Sequence, residues 1–412
     1  MSNGAAALLR NRVRWVPGSR RVAVVGGGVL GVTTALLLAE GGTAVTLFER
    51  REVLWSGATA ANEGKVHLGP VYALGTERTW SVMIEAALAF GGLLERAVGT
   101  PIDWPSLTSD TFAYIVMPTS LAPAEELQRR YAAINRQFRS SVERCGGNYL
   151  GRPIVDVIDE QPMVDAVTGL PTFCSRERSV DPSRLGALLV DAVERHALID
   201  VRVGTRVRSA APAEDGVILT VGESGVESLR FDAMVNCAWE GRSGLMVDAV
   251  ASGPTQFNYR VKVAATLQSP HPVPSVTLVH GPFGDVVDYG DRLYASWYPV
   301  GRVAHEAGMA PSAELLAMVD SDDLHANAEQ QVAALKGIGV LPESAACVDA
   351  VAGVIIGDGA LDIDDPRSEL HHREHFTVIR DGRIITPLNY KFSTAPLAAA
   401  RAADLVSALL HA

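Results

Sequence analysis

Cysteine is scarce in this chain of 412 residues: Cys145, Cys174, Cys237 and Cys347 stand far apart, with no C-x-x-C pair. That spacing excludes a disulfide framework and a thiolate metal site. It suits a reducing compartment, with each cysteine expected to be a small buried apolar residue. Cations are also short. Thirty-six Lys+Arg against 47 Asp+Glu give a net charge of -11, which argues against nucleic acid or an anionic membrane as main partner, since both require clustered positive charge. Long apolar runs are missing as well. No stretch approaches the roughly 18 residues that span a bilayer, and arginines interrupt the short apolar run at the N-terminus, so no signal peptide is read there. The expectation is a cytoplasmic protein without a membrane span. Internal repeats are absent. With 48% hydrophobic and 20% charged residues, the chain is an ordinary globular one, long enough for two connected domains.

What is present is concentrated in Arg21–Arg50, RVAVVGGGVLGVTTALLLAEGGTAVTLFER. An apolar strand, Val22–Val25, breaks into Gly26-x-Gly28-x-x-Gly31, and a helix-forming run follows at once. Gly26 permits a tight turn, Gly28 lets backbone approach a pyrophosphate, and Gly31 lets helix and strand pack closely. Val29 and Leu30 open the helix whose positive end would meet the phosphates. A second strand, Ala44–Phe48, delivers Glu49 about 20 residues after the glycines, where a carboxylate can accept hydrogen bonds from a ribose. Strand, helix, strand and acid in register predict a dinucleotide site. Arg50 and Arg51 belong near the adenosine or solvent, because Glu49 would repel a 2′-phosphate.

Further along, helices are expected at Glu77–Ala97, Ala122–Cys145, Arg184–His196 (with Asp181 or Ser183 as cap), Ser312–Leu335 and Pro396–Leu410. Strands are expected at Thr111–Met117, Asp200–Val203, Arg206–Ser209, Gly216–Val221, Phe231–Val235, Cys347–Ile356 and Phe376–Ile379, with Asp381-Gly382 turning a hairpin into Arg383–Thr386. Phe257–Val300 is β-like throughout. The expected fold is α/β plus α+β. A flexible leader (1–20) precedes a discontinuous Rossmann-like nucleotide-binding domain (21–75, 146–255 and 350–412), interrupted by an antiparallel-sheet substrate domain (76–145 and 256–349).

Several stretches resemble the D-amino-acid oxidase superfamily of FAD-dependent oxidoreductases, which includes glycine oxidases, glycerol-3-phosphate dehydrogenases and L-2-hydroxyglutarate dehydrogenases. Gly26, Gly28, Gly31 and Glu49 match its FAD turn and ribose acid. Thr59-Ala60-Ala61-Asn62-Glu63-Gly64-Lys65-Val66-His67-Leu68-Gly69 looks like the hydroxyglutarate branch, whose loop passes the flavin. Asp181-Pro182, the strand around Val207, and Asp232–Ala238 (including Cys237 and Ala238) are similar to later parts of the FAD domain. Tyr390-Lys391-Phe392-Ser393-Thr394-Ala395-Pro396 resembles the turn that opens the family's C-terminal helix, near the flavin's N1–C2=O edge. Trp239 and Tyr390 stand where relatives usually have glycine, so the chain passes the cofactor differently there. The resemblance implies FAD as cofactor, a small-molecule substrate, and oxygen or a carrier as electron acceptor.

The hydride would come from a CH–NH or CH–OH centre of a small polar metabolite. An alcohol needs a base, and His67 is placed for that, imidazole titrating near neutrality; an amine can deliver hydride as its free base. Lys391 could stabilise reduced flavin or bind an anionic substrate. Arg260, Tyr289 and Tyr298, with Tyr294 and Trp297, are the polar and aromatic candidates for substrate contact, arginine binding carboxylates bidentately. Glu63 could meet a cationic substrate or face solvent. The run His371-His372-Arg373-Glu374-His375 lacks a supporting carboxylate or cysteine pattern and is expected at the surface, so no metal is assigned. A nicotinamide dehydrogenase, or a flavin-binding protein without turnover, are the alternative readings.

Overall fold

The computed structural model describes residues 20–222, 227–246, 256–372, 376–389 and 391–411; Tyr390 and His375 lie outside them. Strand β1 (Arg21–Val25), helix α1 (Val29–Glu40) and strand β2 (Ala44–Phe48) form the expected unit. It sits in a six-stranded sheet ordered Ile199–Arg202, β2, β1, Ala233–Asn236, Ile384–Leu388, Thr377–Asp381. The first five run parallel and the last two form the Asp381-Gly382 hairpin. Alternation along β1 sets the layers. Val22 and Val24 point into a core shared with α1, Pro182–Arg195 and Ala395–His411, while Ala23 and Val25 meet Val217, Leu219 and Phe231. Those three belong to a separate antiparallel sheet, Val207–Ala213, Gly216–Val221 and Glu227–Phe231. Every residue of α1 from Val29 to Ala39 is buried, so the helix has no free face.

A nine-stranded sheet makes the second layer. Its centre is the long strand Phe257–Gln268, flanked by Ala346–Asp358 on one edge and by Arg302–Gly308 and Leu293–Trp297 on the other. The sheet is antiparallel except where Val276–Val279 runs parallel to Ala113–Val116. Met163–Val164, Pro171–Cys174 and Ala346–Asp358 all pair into it. Residues 146–255 and 350–412 therefore contribute to both large sheets.

Three local expectations need correction. Phe231–Val235 is two strands parted at Asp232, whose carboxylate accepts the Arg21 amide at 2.7 Å as the chain changes sheets. Ser312–Leu335 is broken into Ala313–Ala317, Met318–Asp320 and Leu324–Gly337; Ser321 accepts the Asp323 amide at 3.2 Å, an alternative to helical pairing. Cys237 is buried, but Cys174 and Cys347 are only partly so. Asp181 does cap its helix, accepting from Ser183 and Arg184 amides at 2.9 and 3.3 Å. No helix among the described residues is long and apolar enough to cross a membrane.

His280 is buried beside Tyr131, its Nε2 3.3 Å from the phenol oxygen. Burial, with His371 and Arg130 nearby, depresses its pKa from 6.5 to about 3. A depressed folded-state pKa means that stability is complete above pH 6.5 and erodes as pH falls toward 3, because the unfolded chain takes up the proton first. At pH 5 the loss is about 2 kcal/mol, from 1.5 units at about 1.36 kcal/mol each. Denaturant midpoints at pH 8 and pH 5 should diverge in the wild type and converge in His280→Gln; equal slopes in both proteins would refute this.

Candidate active site

A cavity of about 490 Å³ runs between the two large sheets and is walled by the glycine turn. The turn tolerates no side chains. A Cβ on Gly26 would lie 2.4 Å from the Cys237 carbonyl oxygen, and Gly26 holds φ +110°. On Gly28 it would lie 2.8 Å from Thr59 Oγ1, and on Gly31 1.8 Å from the Gly26 carbonyl oxygen. At Gly27 a Cβ would first meet the flexible end of Leu54 at 2.5 Å, a softer limit than the backbone atoms met at Gly26 and Gly31. The Gly27 amide donates to Glu49 Oε2 at 2.7 Å, while Arg51's amide donates to Oε1 at 2.8 Å, so the acid is locked beside the turn. Thr59 Oγ1 accepts the Val29 amide at 3.1 Å. This is a cradle of backbone at a helix start, the chemistry a pyrophosphate requires.

On the opposite wall, Lys391 and Phe392 precede the helix Ala395–His411. Ser393 Oγ is buried just behind this wall, with no hydrogen-bond partner among the described residues. Thr394 Oγ1 donates to Asn389 and to the Lys391 carbonyl. The backbone cradle at a helix start, with Glu49 locked beside it and Lys391 on the same cavity, fits FAD.

The sequence-predicted residues divide as follows. Gly26, Gly28, Val29, Leu30, Glu49, Arg50, Thr59, Asn62, Glu63, His67, Val207, Cys237, Ala238, Trp239, Lys391 and Phe392 line the cavity. Gly31, Ala60, Gly64, Ser393 and Thr394 sit behind its wall. Gly64 holds φ +61° and a Cβ there would lie 1.9 Å from the Val180 carbonyl oxygen, so it is a close-approach position. Trp239 also takes a left-handed φ of 43°, and its indole donates to the Val354 carbonyl at 2.8 Å, pinning the loop across to the nine-stranded sheet. Arg260 and Tyr298 are not on the wall. Arg260 donates to the Tyr298 hydroxyl at 2.9 Å, which donates to Asp362 at 2.9 Å, and Arg302 pairs with the same acid. Tyr289 donates to the Glu63 carbonyl at 2.6 Å, holding the loop from behind. His371, expected at the surface, is buried with Nε2 3.0 Å from the Asp365 carbonyl; no metal-ligating group occurs among the described residues.

Sequence reading passed over the site's charged interior. Lys65 is buried, its ammonium donating to Thr277 and Asp285 and lying 3.9 Å from the centre of the Phe112 ring. Burial opposes ionisation of Asp285, but Lys65 and then Lys262 outweigh it and hold the carboxyl below its ordinary range. Lys262 lines the same cavity, on the long strand opposite Gly353. Burial lowers its pKa, against the pull of Glu63 and Asp285. Glu177, fully buried, accepts from the Leu68 amide and the Tyr114 hydroxyl and so fixes the backbone next to His67; burial raises its pKa despite Lys65. His67 packs edge-on to Tyr72 at 5.4 Å, and Lys391 stands 5.6 Å over that same ring. The only local signal was a lysine set between apolar neighbours in Gly64–Leu68.

The whole path resembles solved flavoprotein folds. Glycine oxidase from Geobacillus kaustophilus superposes with a TM-score of 0.63 at 18% identity, covering 95% of each chain. NikD, an amino acid oxidase essential for nikkomycin biosynthesis, gives 0.62 at 16% over 94% of each. L-proline dehydrogenase from P. horikoshii gives 0.59 at 14% over 95% of this chain and 94% of its own. No curated protein sequence matches. The sequence model for the FAD dependent oxidoreductase family DAO matches residues 21–376, and with that match the chain belongs to this family as an FAD-dependent oxidoreductase.

Proposed function

We propose that the chain oxidises the CH–NH or CH–OH centre of a small, charged metabolite, with an amino-acid-like compound as the class best supported. One observation carries this reading: the cavity walled by the dinucleotide turn also gathers Glu63, Lys65, His67, Lys262 and Lys391. Lys65 is answered by Asp285, but charges without such a partner, as Glu63 and Lys262 are among the described residues, are costly away from water, so the lining serves a charged ligand. The solved structures of like fold include, by their names, glycine oxidase, iminodiacetate oxidase from Chelativorans sp. BNC1 and L-amino acid deaminase from Proteus vulgaris, which supports an amino-acid substrate here.

FAD supplies a hydride acceptor when bound. The amides of Gly28 and Leu30 would hold its pyrophosphate and Glu49 its ribose, with Asn62 and Trp239 lining the same cavity. Lys391 and the start of the last helix would stabilise the negative charge that reduction adds. His67, fixed by Glu177 through Leu68, holds or accepts a proton at the substrate's heteroatom if the donor is an alcohol. Oxygen or a carrier takes the electrons onward, in the cytoplasm as the sequence suggests.

The test is spectral. Purified protein should carry visible flavin absorption, released as FAD on denaturation, and should bleach anaerobically with at least one member of a panel of amino and hydroxy acids. Colourless folded protein that refuses added FAD would refute the cofactor assignment; a coloured protein that no donor bleaches would refute the turnover.

A further inference from the structure

Two charges on the cavity wall are unspent. The Lys262 ammonium and the Glu63 carboxylate each line the cavity, each is only partly exposed, and neither makes a side-chain hydrogen bond or ion pair with any described residue. Their neighbours are committed elsewhere. Lys65 is consumed by Asp285 and Thr277, and Lys391 lies over the Tyr72 ring. The Tyr289 hydroxyl donates to the Glu63 carbonyl at 2.6 Å, fixing the backbone and leaving the carboxylate uncommitted. Across the sheet, Lys262 is in register with Gly353, where a Cβ would already press on Ala61 at 3.1 Å and Ala58 at 3.2 Å. The loop carrying Ala58 and Ala61, and Glu63 just beyond them, therefore packs directly on the strand position opposite Lys262. The two groups sense each other, Glu63 being the largest influence opposing burial on Lys262, yet they do not close into a pair.

Half-buried opposite charges that stay apart are a poor solution for a folded chain on its own. They are a good one for a ligand that carries both complements. We propose that Lys262 receives the carboxylate of the substrate and Glu63 its ammonium, so that the pair selects zwitterionic amino acids over hydroxy acids and over dicarboxylates. This rests on the oxidoreductase reading and narrows it. A hydroxy acid brings one negative charge and would leave Glu63 unanswered in a place of restricted solvation. A second carboxylate would meet Glu63 directly. The assignment concerns binding and orientation only, with the redox step left to the flavin.

The test uses flavin-loaded full-length protein and probes that cannot react, because their central carbon bears no hydrogen: 2-aminoisobutyrate, 2-hydroxyisobutyrate and tert-butylamine. Binding is read from perturbation of the visible flavin spectrum and by calorimetry, in wild type, Lys262→Met and Glu63→Gln. Wild type should favour 2-aminoisobutyrate over 2-hydroxyisobutyrate. Lys262→Met should weaken 2-aminoisobutyrate at least tenfold, and Glu63→Gln should erase or invert the amino-over-hydroxy preference. If Lys262→Met folds poorly, Lys262→Gln and Glu63→Gln carry the test, each checked by melting temperature. The proposal is overturned if the variants bind all probes as wild type does, or if wild type perturbs with none. Anaerobic bleaching of wild type is measured alongside. Bleaching by amino acids with unchanged probe affinities in the variants removes this pair and leaves the oxidoreductase reading standing, whereas failure to load flavin removes the latter.

Discussion

Gly31→Val is expected to abolish FAD uptake, by roughly 1,000-fold or about 4 kcal/mol, without any change in charge or hydrogen bonding. The new Cβ would fall 1.8 Å from the Gly26 carbonyl oxygen and 3.0 Å from its carbon, with Cys237 Cβ at 3.4 Å behind. Both nearest atoms are backbone, so no rotamer relieves the clash. The helix α1 would have to lift from the turn. It cannot do so cheaply, because its residues Val29–Ala39 are all buried, against the sheet on one side and the helices Pro182–Arg195 and Ala395–His411 on others. Either the turn reopens and loses the array of amides, or α1 separates from its neighbours and the core loosens. Flavin absorbance per chain after gel filtration, with added FAD, measures the first; thermal melting measures the second. Gly92→Ala is the control. A Cβ at Gly92 in helix Glu77–Val98 meets nothing within 4 Å, so flavin content should match wild type. A Gly31→Val protein that takes up stoichiometric FAD would defeat the assignment of this turn.

Lys65→Met is expected to destabilise the folded protein by about 3–5 kcal/mol. The side chain of Lys65 is 1% exposed and that of Asp285 15%, so removing the lysine strands a carboxylate that burial already disfavours. The methionine fills much of the same volume against Phe112 and Tyr114, which makes lost charge rather than a cavity the dominant cost. Lys65→Met with Asp285→Leu should therefore recover much of the loss, since a matched apolar pair escapes the desolvation that the lone acid suffers. Denaturant unfolding of the flavin-free single and double variants reads this directly. Losses that simply add in the double variant would show that the two residues act independently.

What could be read from the sequence follows locality. The turn at Gly26–Gly31, the acid at Glu49 and the cap at Asp181 rest on interactions within about one supersecondary unit, and their spacing is visible in the chain. Lys65, Asp285 and Lys262 were not legible as a group, because they are brought together by tertiary packing of a separate short strand on the nine-stranded sheet, across some 200 positions. Arg260 illustrates the limit from the other side. It shares strand parity with Lys262, two residues on, and parity alone makes both plausible wall residues. Two residues along a strand is about 7 Å, however, enough to carry Arg260 beyond the cavity to Asp362, Tyr298 and Arg302. Nothing near Arg260 in sequence announces that acid. Trp239 is a similar case: its left-handed backbone is understandable only once the Val354 carbonyl is found opposite it.

The helix Ala395–His411 packs on α1, and Ile384–Leu388 joins the sheet beside Ala233–Asn236. During synthesis the glycine turn emerges early and waits for both. Until those segments have joined it, the domain lacks a wall of the cavity and a strand of the sheet. Flavin bound between the early turn and these segments would tie them together, so proteolysis should be slower with added FAD than without it.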